Sequence, residues 1–182
     1  MENIRKEILK AAEIKDDILK KHLFILGVLS DELFKISGKR PILLGGGAVE
    51  FYTFGGYTTG DIDIAFDNRS LFNKVAMDAG FTKEGRHWFH KELDVAVEIP
   101  AAILINETAP LFEVDILGKI CLIIGIEDLI IDRLNAYVHW KSEGDGEWAK
   151  NLVHLNKEKI NWSYLNQKAL DNGVETALKD LK

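Results

Sequence analysis

Asp61-Ile62-Asp63-Ile64 places two carboxylates two residues apart in a run that alternates acidic and apolar side chains. Side chains on a β-strand alternate between faces, so both acids point to one side and both isoleucines to the other. Upstream, Gly45-Gly46-Gly47-Ala48 follows the apolar run Ile42-Leu43-Leu44. Glycines at a helix start let backbone amides approach an anion, and the helix dipole favours negative charge there. Two carboxylates on one exposed face, close to glycine amides, suit a divalent cation and a polyphosphate. Taken alone, the glycine run also suits a tight turn, and the acid pair also suits a solvated strand edge. Their conjunction, with Thr58, Thr59 and Gly60 leading into the acids, is what points to chemistry.

Phosphoryl chemistry usually wants a third carboxylate. The run Leu93-Asp94-Val95-Ala96-Val97-Glu98-Ile99 supplies two candidates, because Asp94, Ala96 and Glu98 share one face and Val95, Val97 and Ile99 the other. Asp94 is preferred: an antiparallel pairing brings an acid early in the strand beside the pair, and Glu98 lies close to the stop at Pro100. A register shift of two residues keeps the face and exchanges the candidates. Concentrated carboxylates repel one another, and a bound cation offsets that repulsion. Their oxygens suit Mg²⁺ or Mn²⁺.

Other tempting motifs carry less. A dinucleotide fingerprint starting at Gly45 needs a third glycine where Glu50 stands. His87 and His90 face opposite sides of a strand, which argues against a joint metal site. Trp88 and His90 share a face and are candidates to line an acceptor groove, although a packed hairpin strand is the favoured reading. Cys121, inside Ile120-Cys121-Leu122-Ile123-Ile124, is the single cysteine, so no internal disulfide forms and a cysteine-rich zinc site is excluded. It reads as a small buried residue.

These residues need elements to position them. Residues 2–35 read as helix, with a restart near Lys15-Asp16-Asp17 and Asp16 as cap, ended by Ser37-Gly38. Pro41 to Leu44 reads as a short buried strand, Ala48 to Phe54 as a helix opened by the glycines, and Asp61 to Phe66 as the next strand. Ser70 to Ala79 reads as a helix capped by Asn68 or Ser70 and closed by Gly80. Two hairpins follow, Arg86–His90 with Leu93–Ile99 and Leu111–Asp115 with Lys119–Ile124. Ile126 to Tyr137 is helical, Ser142 to Gly146 breaks the pattern, and helices fill most of residues 147–181. The division is an N-terminal helical segment (1–38), an α/β core (39–125) and a C-terminal helical segment (126–182).

The 182 residues suffice for one domain with a sizeable core. A hydrophobic share of 47% and a charged share of 29% are ordinary for a globular chain. The net charge of −6 argues against a broad nucleic-acid-binding surface. No apolar stretch is long enough to span a membrane, and the mixed-charge N-terminus is unlike a signal peptide, so the expected location is cytoplasmic.

The pattern Leu44-Gly45-Gly46, then Asp61-Ile62-Asp63-Ile64, then Asp94 or Glu98, resembles the nucleotidyltransferase superfamily typified by DNA polymerase beta. Among its branches it is similar to the minimal prokaryotic enzymes and the transferases of toxin–antitoxin systems. The likeness covers roughly residues 40–100, with weaker similarity through Ile126–Tyr137. Tyr57-Thr58-Thr59-Gly60 keeps a threonine ahead of the acids but lacks the arginine that related sequences carry there. Arg133 stands where some relatives place a lysine.

The resemblance implies an α/β nucleotidyltransferase fold, a short mixed sheet flanked by helices with extra helices at both ends. It implies transfer of a nucleoside monophosphate from an NTP to an acceptor hydroxyl on a small molecule, RNA or protein. Asp61 and Asp63 would hold Mg²⁺ or Mn²⁺, with Asp94 or Glu98 as third acid. Gly45, Gly46, Gly47, Thr59 and Arg133 would bind the nucleotide. The rivals are a non-catalytic member of the fold and an antitoxin-like protein whose acidic surface meets a basic partner.

Overall fold

The computed structural model describes residues 2–100 and 109–181. The chain opens with α1 (Glu2–Leu9), a 3-10 turn (Lys10–Glu13) and α2 (Ile18–Ser37). The helical stretch is thus interrupted at the expected restart near Lys15-Asp16-Asp17. Ile14 turns extended, and the Asp17 carboxylate accepts the Lys20 N–H at 2.8 Å, so Asp17 rather than Asp16 is the cap. Gly38, at φ 70°, ends α2. Leu23, Ile25, Leu26, Leu29 and Leu33 carry its buried face.

Next come β1 (Ile42–Leu43), α3 (Gly45–Tyr52) and β2 (Asp61–Ala65). Strands β1 and β2 pair antiparallel, Leu43 opposite Ile64, so the glycine turn and the acid pair meet at one end of the sheet. Helix α4 (Arg69–Asp78) starts one residue earlier than expected, because Asn68 caps it by accepting the Leu71 N–H. Strands β3 (Thr82–Glu84), β4 (His87–His90) and β5 (Val95–Glu98) follow. Both expected hairpins form: β4 with β5, and β6 (Leu111–Ile116) with β7 (Lys119–Ile124).

Helices α5 (Ile126–Trp140), α6 (Glu143–Asn156), α7 (Trp162–Asp171) and α8 (Glu175–Lys179) complete the chain. Ser142–Gly146 does not form the expected break: Ser142 is the N-cap and the residues after it are helical. The seven strands form one mixed sheet in the order β3-β4-β5-β2-β1-β7-β6. The pairs β2–β5 and β1–β7 are parallel, and the other pairs are antiparallel.

Ile62 and Ile64 are buried against the helices, whereas Asp61 and Asp63 are half-buried on the opposite face. The Tyr52 hydroxyl donates to the Ile124 carbonyl at 2.9 Å, and the Asn156 amide donates to the Tyr52 carbonyl at 3.0 Å. These two buried bonds fix the end of α3 to β7 and α6. The glycine turn at its other end is thereby held in place over β2.

Candidate active site

Parallel pairing of β2 with β5 sets Asp61 opposite Ala96 and Asp63 opposite Glu98. Residues directly opposite on neighbouring strands share a face, so Glu98 stands beside Asp63. Asp61, Asp63 and Glu98 each offer an oxygen, and these three atoms lie within 4.8 Å of one another. Asp94, the acid preferred from sequence, is not in this group. It precedes β5 with φ +48°, is exposed, and lines a separate cavity with His22, Thr59 and Gly60. The preference rested on an antiparallel neighbour; the parallel register brings an acid late in the strand beside the pair instead.

The immediate surroundings hold the acids in place. The Thr59 hydroxyl donates to Asp61 Oδ1 at 2.8 Å. The Leu44 N–H donates to the Asp63 carbonyl at 2.8 Å, and the Gly46 N–H bonds the Asp63 carboxylate. Gly45 has φ +54°, and a Cβ on it would lie 2.2 Å from Asp63 Oδ2. Only glycine lets the turn pass this close to the carboxylate. Gly46 packs against Tyr57 and Thr59, while Gly47 faces Leu43 in the core.

Burial, followed by the charges of Asp61 and Glu98, pushes the Asp63 carboxyl up to about 6. The Gly46 amide and Arg133 pull the other way. A carboxylate crowded by two others and partly desolvated gains from a nearby cation. Three oxygen donors of this kind fit a hard divalent ion such as Mg²⁺ or Mn²⁺.

Arg133 projects from α5 into a cavity of about 370 Å³ that also touches Gly45 and Asp63. Its guanidinium donates to Asp145 Oδ1 at 2.7 Å and to Asp132, so both acids counter its charge. Lys168 of α7 lines the same cavity, 3.9 Å from Asp128. The cavity is therefore walled by β-sheet residues on one side and by α5 and α7 on the other.

Trp88 and His90 do not line a groove: each is 1% exposed, in the core. Trp88 packs edge-on against Phe72 and donates to Asn73. His87, on the other face of β4, reaches Glu98 at 2.8 Å. Cys121 is fully buried, and burial pushes its thiol up to about 12, which suits an inert core residue.

Sequence reasoning passed over Glu50. It is 5% exposed, and burial raises its pKa above the ordinary carboxylate value while the Thr59 N–H bonds it. It anchors the loop that leads into Asp61. The signal was present, since a glutamate within the apolar run Val49-Glu50-Phe51-Tyr52 on a buried helix needs a partner. Lys168, Asp132 and Asp145 were also passed over. They lie far from the glycine motif in sequence, and no local pattern connects them to it.

No family model matches the chain, and no curated protein matches it in sequence. A solved structure, that of an antigenic nucleotidyltransferase-like protein from Paracoccidioides brasiliensis, is similar over 90% of this chain and 93% of that one, with 19% identity and a TM-score of 0.60. At that identity the likeness speaks for the fold. With a seven-stranded mixed sheet flanked by eight helices among the described residues, this chain has the nucleotidyltransferase-like fold.

Proposed function

We propose that the protein is a metal-dependent nucleotidyltransferase that moves a nucleoside monophosphate from an NTP to an acceptor hydroxyl. The observation that carries this reading is the convergence of Asp61, Asp63 and Glu98 within 4.8 Å, in a fold of the nucleotidyltransferase kind. These three residues would hold Mg²⁺ or Mn²⁺, which when bound supplies charge neutralisation on the phosphates and acidifies the acceptor hydroxyl.

The chain's own residues do the rest. Thr59 fixes the Asp61 carboxylate through one oxygen and leaves the other free. The Gly45 turn lets the phosphates approach the backbone, and Arg133 and Lys168 bring positive charge to the same cavity. The acceptor oxygen bonds to the α-phosphorus as the bond to pyrophosphate breaks, and Glu98 takes the hydroxyl proton. Catalysis of this type is mostly positioning and electrostatic stabilisation.

A second reading, a nucleotide-binding protein of the same fold without catalysis, draws on one observation. The Arg133 charge is already met by Asp132 and Asp145. Pyrophosphate release separates the two. With each of the four NTPs and Mn²⁺ or Mg²⁺, the transferase reading expects metal-dependent release with at least one nucleotide. Stabilisation by NTP without release, across a broad panel of acceptors, would favour the binding protein. A flat thermal shift with every NTP and metal would remove both; about 100 Kd of ligand should add roughly 2.7 kcal/mol.

The choice of third acid has its own test. Glu98→Ala should weaken Mn²⁺ binding by at least about tenfold, as expected for loss of an oxygen ligand, while Asp94→Ala leaves it within a factor of about two. The reverse pattern in a Mn²⁺ titration would return the role to Asp94.

A further inference from the structure

Glu98 is clasped from the neighbouring strand. Its Oε2 lies 2.8 Å from His87 Nε2, and its Oε1 lies 3.1 Å from Arg86 Nε. A carboxylate only accepts, so His87 donates from Nε2. His87 is the residue directly opposite Glu98 in the antiparallel β4–β5 register, which puts both side chains on one face. The two partners differ in setting. The His87 side chain is 36% exposed and belongs to a paired strand, while the Arg86 side chain is 73% exposed and precedes that strand.

We infer that this clasp has a divided role, in which His87 is a positioning residue that aims the Glu98 carboxylate at Asp61 and Asp63, and Arg86 is an exchangeable counter-ion that occupies the carboxylate until a divalent cation takes its place. The inference rests on the transferase reading of the acid cluster. A glutamate has three rotatable bonds, and Glu98 sits beside the charge of Asp63. Without a tether its carboxylate would turn away from the two aspartates. The His87 bond removes that freedom and leaves lone pairs on both oxygens for a cation. Donors of this kind behind a ligating carboxylate commonly set metal affinity. Arg86 acts with the opposite sign. Its charge lies 3.1 Å from Oε1 of the same carboxylate, so it competes with a cation for Glu98, and as an exposed partner it holds weakly.

Mn²⁺ alone is the probe, followed by calorimetry and by loss of the aqueous Mn²⁺ electron paramagnetic resonance signal. His87→Leu should weaken Mn²⁺ binding by about 10- to 100-fold. His87→Gln, whose amide donates from a similar reach, should restore it to within about threefold of wild type. Arg86→Gln should tighten binding by about two- to fivefold, the scale of an exposed ion pair. Thermal melts show whether each variant is folded, and His87→Gln and Arg86→Gln keep the comparison open should His87→Leu fail to fold. Wild-type binding with equal affinity in the folded variants would overturn the clasp and leave the transferase reading standing. Weaker binding in Arg86→Gln would also overturn the division of roles. A wild-type protein that takes no Mn²⁺ would remove the transferase reading and the clasp together.

Discussion

Replacing Asp63 by asparagine is expected to stabilise the metal-free protein while abolishing Mn²⁺ binding and pyrophosphate release. Asparagine keeps the size of the side chain and still accepts the Gly46 N–H, but it removes a charge that burial, Asp61 and Glu98 all disfavour. The carboxyl stands at about 6 in the folded protein against an ordinary value of 3.8. Between these values the folded state binds a proton that the unfolded state does not. The stability of the metal-free wild type therefore gains a contribution as pH falls from 7 through 6 toward 4, and loses it as pH rises back. Because the group is only partly buried, its contribution is on the order of 1–2 kcal/mol, below the full value of the shift. Urea unfolding at pH 7 should show Asp63→Asn more stable by about that amount, and the difference should shrink at pH 4.5. Turnover should fall by about 10³-fold or more, since a metal ligand and a transition-state charge partner are lost together. A variant less stable than wild type at pH 7, with Mn²⁺ affinity intact, would make Asp63 a structural residue.

The part of this site that local periodicity can encode was legible in the sequence. Asp-Ile-Asp-Ile declares a two-sided strand, and the glycines after Leu44 declare a turn into a helix. Antiparallel pairing of β1 with β2 brings the two motifs to one end of the sheet. The identity of the third acid was not legible, because it depends on how β5 aligns with a strand thirty-odd residues away in the chain. Asp94 and Glu98 obey the same alternation, and only the parallel register of Asp63 with Glu98 distinguishes them. Asp94 also lies just ahead of the strand in a left-handed backbone, which an aspartate tolerates better than most residues.

Other differences have the same tertiary origin. Strand β3 is three exposed residues with no apolar alternation, and it exists because β4 offers an edge. Gly144 and Gly146 read as helix breakers, yet α6 runs through them. At Gly146 a Cβ would lie 2.6 Å from the Tyr137 ring, so the glycine serves the close approach of α5 and α6. That approach carries Asp145 to Arg133 at 2.7 Å. The cavity wall opposite the acids is therefore built by a contact that sequence spacing does not announce.

Gly45→Ala should be strongly damaging, because it joins backbone strain to a clash with a site carboxylate. The backbone there has φ +54°, a conformation that costs a residue with a Cβ roughly 1–2 kcal/mol. The added methyl would also stand 2.2 Å from Asp63 Oδ2 and 3.0 Å from its Cβ. Relief requires the carboxylate or the turn to move, at about 1–3 kcal/mol for an overpacked site. Together these predict a destabilisation of about 2–4 kcal/mol and a loss of Mn²⁺ affinity of about 100-fold or more, as Asp63 is pushed out of line with Asp61 and Glu98. The two causes separate in a double-mutant cycle. Asp63→Ala removes the oxygen that clashes but leaves the backbone strain, so in that background Gly45→Ala should cost only about 1–2 kcal/mol. Equal costs in both backgrounds would mean that the methyl never meets the carboxylate and that the turn does not lie over Asp63 in solution. A smaller cost beside Asp63→Ala would show that the turn and the acid are packed as one unit, with glycine at position 45 keeping room for the carboxylate.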